Sequence, residues 1–290
     1  MIAETTDTPL TSNDGAGAAA QEIRPSALRL NVATVLTLLS RDLKRFFRQR
    51  SRVVGALVQP LIFWLVIGSG LSASFRIEGA SDVGYVQYFY PGIVMLVVLF
   101  TSIFTTMSVI EDRHKGFLQA VLVAPASRTA LVLGKTLGGV SIAMAQAIMF
   151  LALLPFAGYH LSQVDWPLMA VVLLTVSIGL SSIGFAIAWW LDSTQGYHVV
   201  MSVLLIPLWI LSGAMFPQKG APIWMSLVMK LNPMAYGVSG IRRALYGAGS
   251  SNASVLGSSQ SATEVAVLVG FALGSLALAV RMCARRGRKP

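Results

Sequence analysis

The stretch that decides the fold of this chain is FYPGIVMLVVLFTSIFTTMSVI (residues 89–110), which contains no charged side chain. A transmembrane helix needs roughly 20 largely apolar residues to cross about 30 Å of hydrocarbon. The stretch meets this requirement, and the charged sequence EDRHKG (residues 111–116) follows it immediately. The pattern predicts a helix that crosses a membrane and ends in a water-facing segment.

Five further stretches satisfy the same condition. The six predicted spans are Val53–Leu71, Phe89–Ile110, Leu131–Phe156, Leu168–Leu191, Val199–Phe216 and Val265–Val280. Of the 290 residues, 55% are apolar and 12% are charged, against about 25% charged in soluble globular domains. The composition excludes a soluble protein and predicts an all-α polytopic membrane protein with six transmembrane helices.

Basic residues are concentrated beside the predicted spans. Most of the 22 Lys and Arg residues precede the first span, lie between the second and third, or follow the sixth. The positive-inside rule therefore places both termini in the cytoplasm. A net charge of +10 would indicate a nucleic-acid partner in a soluble chain, but charges that border apolar runs predict none here. Cys283 is the only cysteine, which excludes a disulfide framework within one chain.

Both ends of the chain are predicted to lie outside the membrane domain. Residues 1–25 are mostly small or polar, so we expect a disordered cytoplasmic segment over residues 1–30 and no signal peptide. The transmembrane domain is predicted over residues 53–282, and residues 283–290 form a basic cytoplasmic tail.

Residues 31–52 form a candidate amphipathic helix, with Asn31 as its predicted N-cap. Its apolar positions recur at spacings of three and four and include Leu39, Leu43, Phe46 and Phe47. Its basic residues Arg41, Lys44, Arg45 and Arg48 lie off this face. We expect an interfacial helix on the cytoplasmic leaflet whose basic side meets anionic lipid headgroups. The alternative is an ordinary basic flank that only sets topology.

The segment after the second span predicts a short cytoplasmic helix. The sequence FLQAVLV (residues 117–123) places Phe117, Leu118, Val121 and Leu122 on one face, and Pro125 stops the helix. So short a helix cannot bury this face alone, and it needs the membrane, its own bundle or another protein. A solvated turn would explain Arg113 and Lys115, but neither the apolar face nor the acid pair.

The segment 211–247 is rich in Gly, Pro and aromatic residues and lies on the outer side in this topology. Two short helices divided at Asn232 and Pro233 are predicted, because proline disfavours helix at the preceding residue. A seventh span over residues 221–240 would contain Lys230 and would move the basic tail outside. A re-entrant segment that enters partway and returns fits better.

Motifs for chemistry are missing from the sequence. It contains no zinc-protease motif, nucleophile elbow or metal-spaced His/Cys cluster. LGKT (residues 133–136) is not a phosphate loop, because Thr129 stands at the first glycine position of that motif. We expect Lys135 to snorkel from the start of the third span. None of the 12 acidic residues lies at the middle of a predicted span, which disfavours an ion-coupled carrier.

Taken together, the six spans and two sequence motifs resemble the bacterial ABC-2 type exporter permeases. EDRHKG (residues 111–116) followed by VAPASR (residues 123–128) is similar to the family's loop between its second and third spans. LNPMAY (residues 231–236), leading to Arg242 and Arg243, is similar to its outer motif. The resemblance covers about residues 30–282 and is closest to the daunorubicin-resistance and polysaccharide or lipid exporters.

The resemblance implies a permease that is not itself an enzyme and holds no cofactor. Two permease subunits, alike or different, would engage two copies of a separate ABC ATP-binding subunit that carries ATP-Mg. The complex would move a lipidic, drug-like or lipid-linked saccharide substrate out of a bacterial cytoplasmic membrane. The implied coupling helix comprises Glu111, Asp112, Arg113, Gly116, Phe117, Leu118, Val121 and Leu122. The implied outer re-entrant motif, which would form the outer gate, comprises Asn232, Pro233, Tyr236, Arg242 and Arg243.

Two other functions stay open from the residues alone. An ion-coupled carrier or channel would need a buried acid or a polar pore lining. A non-transporting membrane scaffold subunit would need neither of these features.

Overall fold

The computed structural model describes residues 26–72, 83–123, 126–216, 222–246 and 261–286, and these residues are mostly helical and contain no strand. The helices are α1 (Ala27–Arg48), α2 (Arg50–Leu71), α3 (Tyr85–Thr105), α4 (Ser108–His114), α5 (Phe117–Val123), α6 (Arg128–Leu151), α7 (Trp166–Trp190), α8 (Thr194–Trp209), α9 (Ile223–Leu231), α10 (Pro233–Tyr246) and α11 (Ser261–Arg286). Short 3-10 turns cover Leu154–Ala157 and Leu161–Gln163, and a π-helical turn covers Ile210–Ala214.

Six segments are long and apolar enough to cross a membrane. They are Val53–Leu71, Tyr85–His114, Arg128–Leu151, Trp166–Trp190, Thr194–Ala214 and Ala262–Arg285. The predicted all-α fold with six transmembrane helices is confirmed. The third span ends at Leu151 rather than Phe156, because the chain turns there into a 3-10 helix closed by Gly158 at φ +82°. The sixth is longer than predicted, since its helix continues beyond the buried Cys283.

The core of the bundle forms around α3 and α7. Helix α7 contacts α3, α6, α10 and α11, and most of α3 is buried. Small residues permit close approach, as where Gly139 of α6 meets Ser181 of α7 and Gly184 of α7 meets Thr106. The outer helices α2 and α11 bury only 17% and 22% of their apolar windows, so their remaining apolar surface faces outward.

Successive long helices run in alternating directions and define two ends of the bundle. One end, called the α4–α5 end, also holds the α7–α8 connection and the last turn of α11, where Arg128 Nη1 donates to the Cys283 carbonyl over 3.0 Å. The other, called the α9–α10 end, holds the connection between α6 and α7. There the Asp165 amide donates to the Ala244 carbonyl over 2.8 Å.

Helix α1 lies along α6 and begins earlier than predicted. Ser26 is its N-cap, and its side chain accepts a hydrogen bond from the Arg29 amide. The prediction of Asn31 as the cap is wrong, because Asn31 Oδ1 instead accepts from the Ser127 amide over 2.8 Å. Of the predicted apolar face, Phe46 is buried against the bundle, Leu39 and Leu43 are half-buried, and Phe47 is exposed. The interfacial position of α1 stays a prediction.

Candidate functional site

Lys135 of α6 lies at the centre of a buried charged cluster. The residue is 3% exposed, and its Nζ donates to Asp42 Oδ2 on α1 over 2.9 Å and to Asp112 Oδ2 on α4 over 2.6 Å. Ser108 Oγ lies 3.3 Å from the same nitrogen. The predicted snorkelling of Lys135 is therefore wrong, because two carboxylates from other helices meet its ammonium group inside the protein.

Arg41 and Arg45 of α1 complete this cluster. Arg41 pairs with Asp112 and, over 3.4 Å, with Asp42. Arg45 pairs with Glu111 and, over 3.8 Å, with Asp112 Oδ1. The prediction that both arginines meet lipid headgroups does not hold, because the structure turns them toward these acids.

The resulting junction cluster is electrically balanced. It comprises Arg41, Asp42, Arg45, Glu111, Asp112 and Lys135. Three basic groups face three acidic groups, so the buried charges are compensated, as burial requires. The pairs join α1, α4 and α6 at the α4–α5 end of the bundle.

Arg113 and His114 attach α4 to the α7–α8 connection. Arg113 donates to the Trp189 carbonyl over 2.9 Å and to the Leu191 carbonyl over 3.1 Å, and it pairs with Asp192. His114 Nε2 lies 2.7 Å from the Asp192 carbonyl oxygen. A cation at the last carbonyls of α7 is favoured by the helix dipole. The cationic stretch of EDRHKG therefore contacts the end of a transmembrane helix.

Helix α5 follows a sharp turn at Gly116, whose φ of +74° suits glycine. Leu118 is buried, and Phe117 and Val121 are half-buried. The Arg41 guanidinium lies 3.7 Å from the centre of the Phe117 ring, a cation–π contact. The apolar face of α5 thus packs on its own bundle. Gln119, Ala120 and Val123 are exposed, while the side chain of Leu122 lies outside the described residues.

At the opposite end, Asn232 supports the unwound end of α8. Its Nδ2 donates to the Leu208 carbonyl over 2.7 Å and to the Leu211 carbonyl over 3.0 Å. Its Oδ1 accepts from the Met234 amide over 2.9 Å. Asn232 therefore satisfies carbonyls that the π-helical turn leaves unpaired, and it caps α10. The predicted division at Asn232 and Pro233 matches the break between α9 and α10.

Arg242 reaches the same turn from α10. Its Nη2 donates to the Gly213 carbonyl over 3.3 Å, and its guanidinium lies 4.5 Å from the Tyr88 ring centre. Tyr88 donates to the same carbonyl over 3.2 Å. Tyr236 is half-buried and donates to the Lys230 carbonyl over 2.8 Å, and Arg243 is half-buried beside Arg242. Asn232 and Arg242 thus meet at the end of α8, whereas Tyr236 joins α10 to α9.

Tyr159, which is buried, and Tyr246, which is half-buried, form an aromatic pair at the α9–α10 end. Their rings are 5.3 Å apart in an edge-to-face arrangement, and Tyr159 donates to the Gln87 carbonyl over 3.0 Å. Burial raises the pKa of Tyr159 well above its ordinary value and also raises the pKa of Tyr246. The pair packs the α6–α7 connection against α10.

A cavity of about 550 Å³ lies between α2, α3 and α8. Its walls include the rings of Phe63, Phe100, Phe104 and Trp209 and the polar side chains of Gln59, Thr101, Gln146 and His198. Sequence reasoning missed this cavity, because its lining comes from helices that are far apart in sequence and no motif marks it. Within the described residues, no group of His, Cys, Asp and Glu side chains forms a metal site.

Comparison with known proteins identifies the family. The family model described as "ABC-2 type transporter" matches residues 33–246. A ycf38 protein of Cyanophora paradoxa, named as a transport permease, is 30% identical over 69% of this chain and 71% of its own. The daunorubicin resistance ABC transporter permease protein DrrB1 of Streptomyces coeruleorubidus is 25% identical over 74% of this chain and 76% of its own.

A third relative points the same way. The inner membrane transport permease YadH of Escherichia coli is 23% identical over 73% of this chain and 82% of its own. The matched range contains the junction cluster, five of the candidate spans and the segment around Asn232. The chain therefore belongs to the ABC-2 type transporter family, as a multi-pass membrane permease.

Proposed function

We propose that this chain works with a separate ABC ATP-binding subunit to export an apolar or amphipathic substrate across a bacterial cytoplasmic membrane. Two permease subunits and two ATP-binding subunits, which carry ATP-Mg, make up the complex. Both termini and the α4–α5 end face the cytoplasm, and the α9–α10 end faces outward. The family match and the permeases named above support this assignment.

The observation that carries the proposal is the junction cluster. Lys135 joins α4 to α6, the arginines join α4 to α1, and Arg113 joins α4 to the end of α7. Breaking a buried ion pair costs about 3–5 kcal/mol, so these helices move together when α4 and α5 are displaced. An ATP-binding subunit that pushes on the exposed side of α5 therefore moves the transmembrane helices.

Helix α1 braces this junction from the membrane surface. Lys44 and Arg48 are exposed, and so are the apolar Leu36 and Phe47. A helix with both kinds of exposed residue is stable at a lipid interface, where each side meets its preferred environment.

Helix α9 forms the outer gate with α10. Its nine residues extend only about 13 Å, which is too short to span a bilayer. Ile223, Trp224 and Leu231 are nevertheless exposed. This apolar surface fits a re-entrant helix that enters the outer leaflet partway.

The cavity between α2, α3 and α8 is the candidate substrate chamber. Its volume of about 550 Å³ falls within the range of small-molecule sites, about 300–1,000 Å³. Its walls are mostly apolar, which suits a lipid or drug-like molecule. Exposed apolar residues beside it, such as Ile62 on α2 and Val203 on α8, offer a surface for the second permease.

Co-purification with the ATP-binding subunit tests the proposal. The partner to use is a protein with the motif GxxxxGK[ST] encoded beside this chain. Val123→Asp changes an exposed residue of α5, and Leu161→Asp makes the same change of character at the opposite end. We expect Val123→Asp to abolish co-purification and Leu161→Asp to preserve it.

Two results would contradict the proposal. One is equal recovery of the ATP-binding subunit with Val123→Asp. The other is uptake by liposomes containing this chain alone and driven by an ion gradient, which would indicate an ion-coupled carrier instead.

A further inference from the structure

Gln146 of α6 carries an unsatisfied hydrogen-bond donor inside the bundle. Its Oε1 accepts a hydrogen bond from Thr101 Oγ1 of α3, but its buried Nε2 has no partner. An unpaired buried donor costs about 1–3 kcal/mol. Both Gln146 and Thr101 line the cavity between α2, α3 and α8, so the amide lies at the wall of that cavity.

Three buried serine and threonine hydroxyls also have no partner, those of Ser102, Thr136 and Ser182. They are not part of the cavity lining. A serine or threonine in a helix can rotate its hydroxyl toward a carbonyl one turn earlier. Gln146 differs from these residues because it lines the cavity and because its amide oxygen, rather than its nitrogen, is paired with Thr101.

The remaining walls restrict the chemistry of a ligand. No Asp, Glu, Lys or Arg lines the cavity within the described part of the chain. Trp209 lines it too, but its Nε1 already donates to the Gly92 carbonyl over 2.7 Å. A charged group would be desolvated here without a counter-charge, which is strongly unfavourable. Aromatic rings on several sides instead favour an apolar body.

We propose that Gln146 is the hydrogen-bond donor of a binding site for an uncharged, largely apolar molecule that bears an oxygen acceptor, such as a carbonyl or ester. This inference rests on the proposed function in one respect. The molecules that would bind here belong to the substrate class of the proposed exporter. Thr101 acts as a positioning residue, because its hydroxyl pairs with the amide oxygen and so leaves Nε2 for the ligand.

Binding can be measured on the full chain in phosphatidylcholine nanodiscs without any ATP-binding subunit. The probe is Nile red, an uncharged dye with a carbonyl acceptor whose emission shifts to the red when that carbonyl accepts a hydrogen bond. Diphenylhexatriene, which is apolar and has no acceptor, serves as the comparison probe. We expect saturable Nile red binding above that of empty nanodiscs.

The Gln146→Met variant removes the donor while keeping the shape of the side chain. Loss of one hydrogen bond worth about 0.5–1.5 kcal/mol corresponds to binding weaker by about two- to tenfold. The emission of bound Nile red should also shift to the blue, while diphenylhexatriene binding stays unchanged. Thr101→Val should weaken Nile red binding less than Gln146→Met does.

Gln163→Met is the matched control, because Gln163 is exposed at the α9–α10 end and outside the cavity. It should leave Nile red binding unchanged. Dioleoylglycerol as a competitor separates the sources of the acceptor: displacement of Nile red assigns a lipid ester, and its failure assigns a small molecule.

Two results would overturn the proposal. One is the absence of saturable Nile red binding to the folded chain, and the other is equal binding by a folded Gln146→Met variant. Neither result changes co-purification with the ATP-binding subunit, so failure here is distinguishable from failure of the proposed function.

Discussion

Replacing Lys135 by Met tests whether the junction cluster holds the helices together. The Lys135 side chain is 1% exposed and contacts both Asp42 and Asp112. Removing one partner of a buried ion pair costs about 3–5 kcal/mol, because the other charge stays buried without compensation. Arg41 still contacts both carboxylates and is partly exposed, so it neutralises part of the excess charge. We therefore expect the lower end of this range, about 3 kcal/mol.

A second substitution separates charge balance from packing. Adding Asp42→Asn to Lys135→Met removes one acid as well as one base, so the remaining cluster is again neutral. We expect the loss of unfolding free energy in the double variant to be smaller than the sum of the two single losses by at least about 1 kcal/mol. Such non-additivity is typical of residues in one ion-pair network. Arg45 and Glu111 are unchanged in this design.

The assay is SDS-induced unfolding in mixed micelles, followed by tryptophan fluorescence, which gives the free energy of unfolding. Lys115→Met is the control, since Lys115 is exposed between α4 and α5. It should change the unfolding free energy by no more than about 0.5 kcal/mol. An equally harmless Lys135→Met substitution, or strict additivity of the two substitutions, would show that the junction cluster does not hold the helices together.

Three further predictions use the same unfolding assay. Asn232→Ala should destabilise the protein by about 2 kcal/mol, because it leaves two carbonyls and one amide without their partner; a neutral result would contradict this role. Gly92→Ala should destabilise the protein by about 1–3 kcal/mol through overpacking, because the added Cβ would lie 2.6 Å from Ala214 Cβ and 2.9 Å from Ala214 Cα. Gly274 has open space around it, so Gly274→Ala should not destabilise the protein. Burial raises the pKa of Tyr159 above the ordinary value of 10.0, so its contribution to stability is complete below about pH 10 and is lost as pH rises further. Tyr159→Phe should therefore reduce the loss of stability between about pH 8 and about pH 11, and an unchanged loss would exclude Tyr159 as its source.

The spans could be predicted because hydropathy is a local property of the sequence. A run of apolar residues such as 89–110 must find an apolar environment wherever it lies in the fold. The ends of the spans were less predictable. The third helix stops at Leu151 because Pro155 and Gly158 start a tight turn, although the apolar run continues to Phe156.

The junction cluster could not be predicted, because its partners are far apart in sequence. Lys135 and Asp42 are separated by 93 positions, and nothing near either residue indicates the other. A lone lysine at the edge of an apolar run favours snorkelling in any local analysis. The acid pair at Glu111 and Asp112 was the available signal, since positive-inside charges do not account for acids beside a span.

The buried face of α1 could not be predicted for the same reason. Its apolar residues recur at helical spacing, but the spacing does not show which of them meets another helix. Leu38 packs against Gly134 of α6, where the missing side chain leaves room, and Phe46 is buried on the same side. Phe47, which belongs to the same apolar pattern, is left exposed. The neighbouring helix, rather than the pattern, determines the buried face.

The junction cluster and the cavity are not independent parts of the molecule. Phe46 lies one helical turn after Asp42 on α1, and it lines the cavity between α2, α3 and α8. Phe46 and Thr105 also line a small gap that reaches Asp42, Arg45 and Ser108. Because protein interiors are close-packed, α1 cannot shift against α6 without displacing Phe46 from the cavity wall. A movement that begins at α4 and α5 therefore changes the shape of the cavity through side chains already in contact.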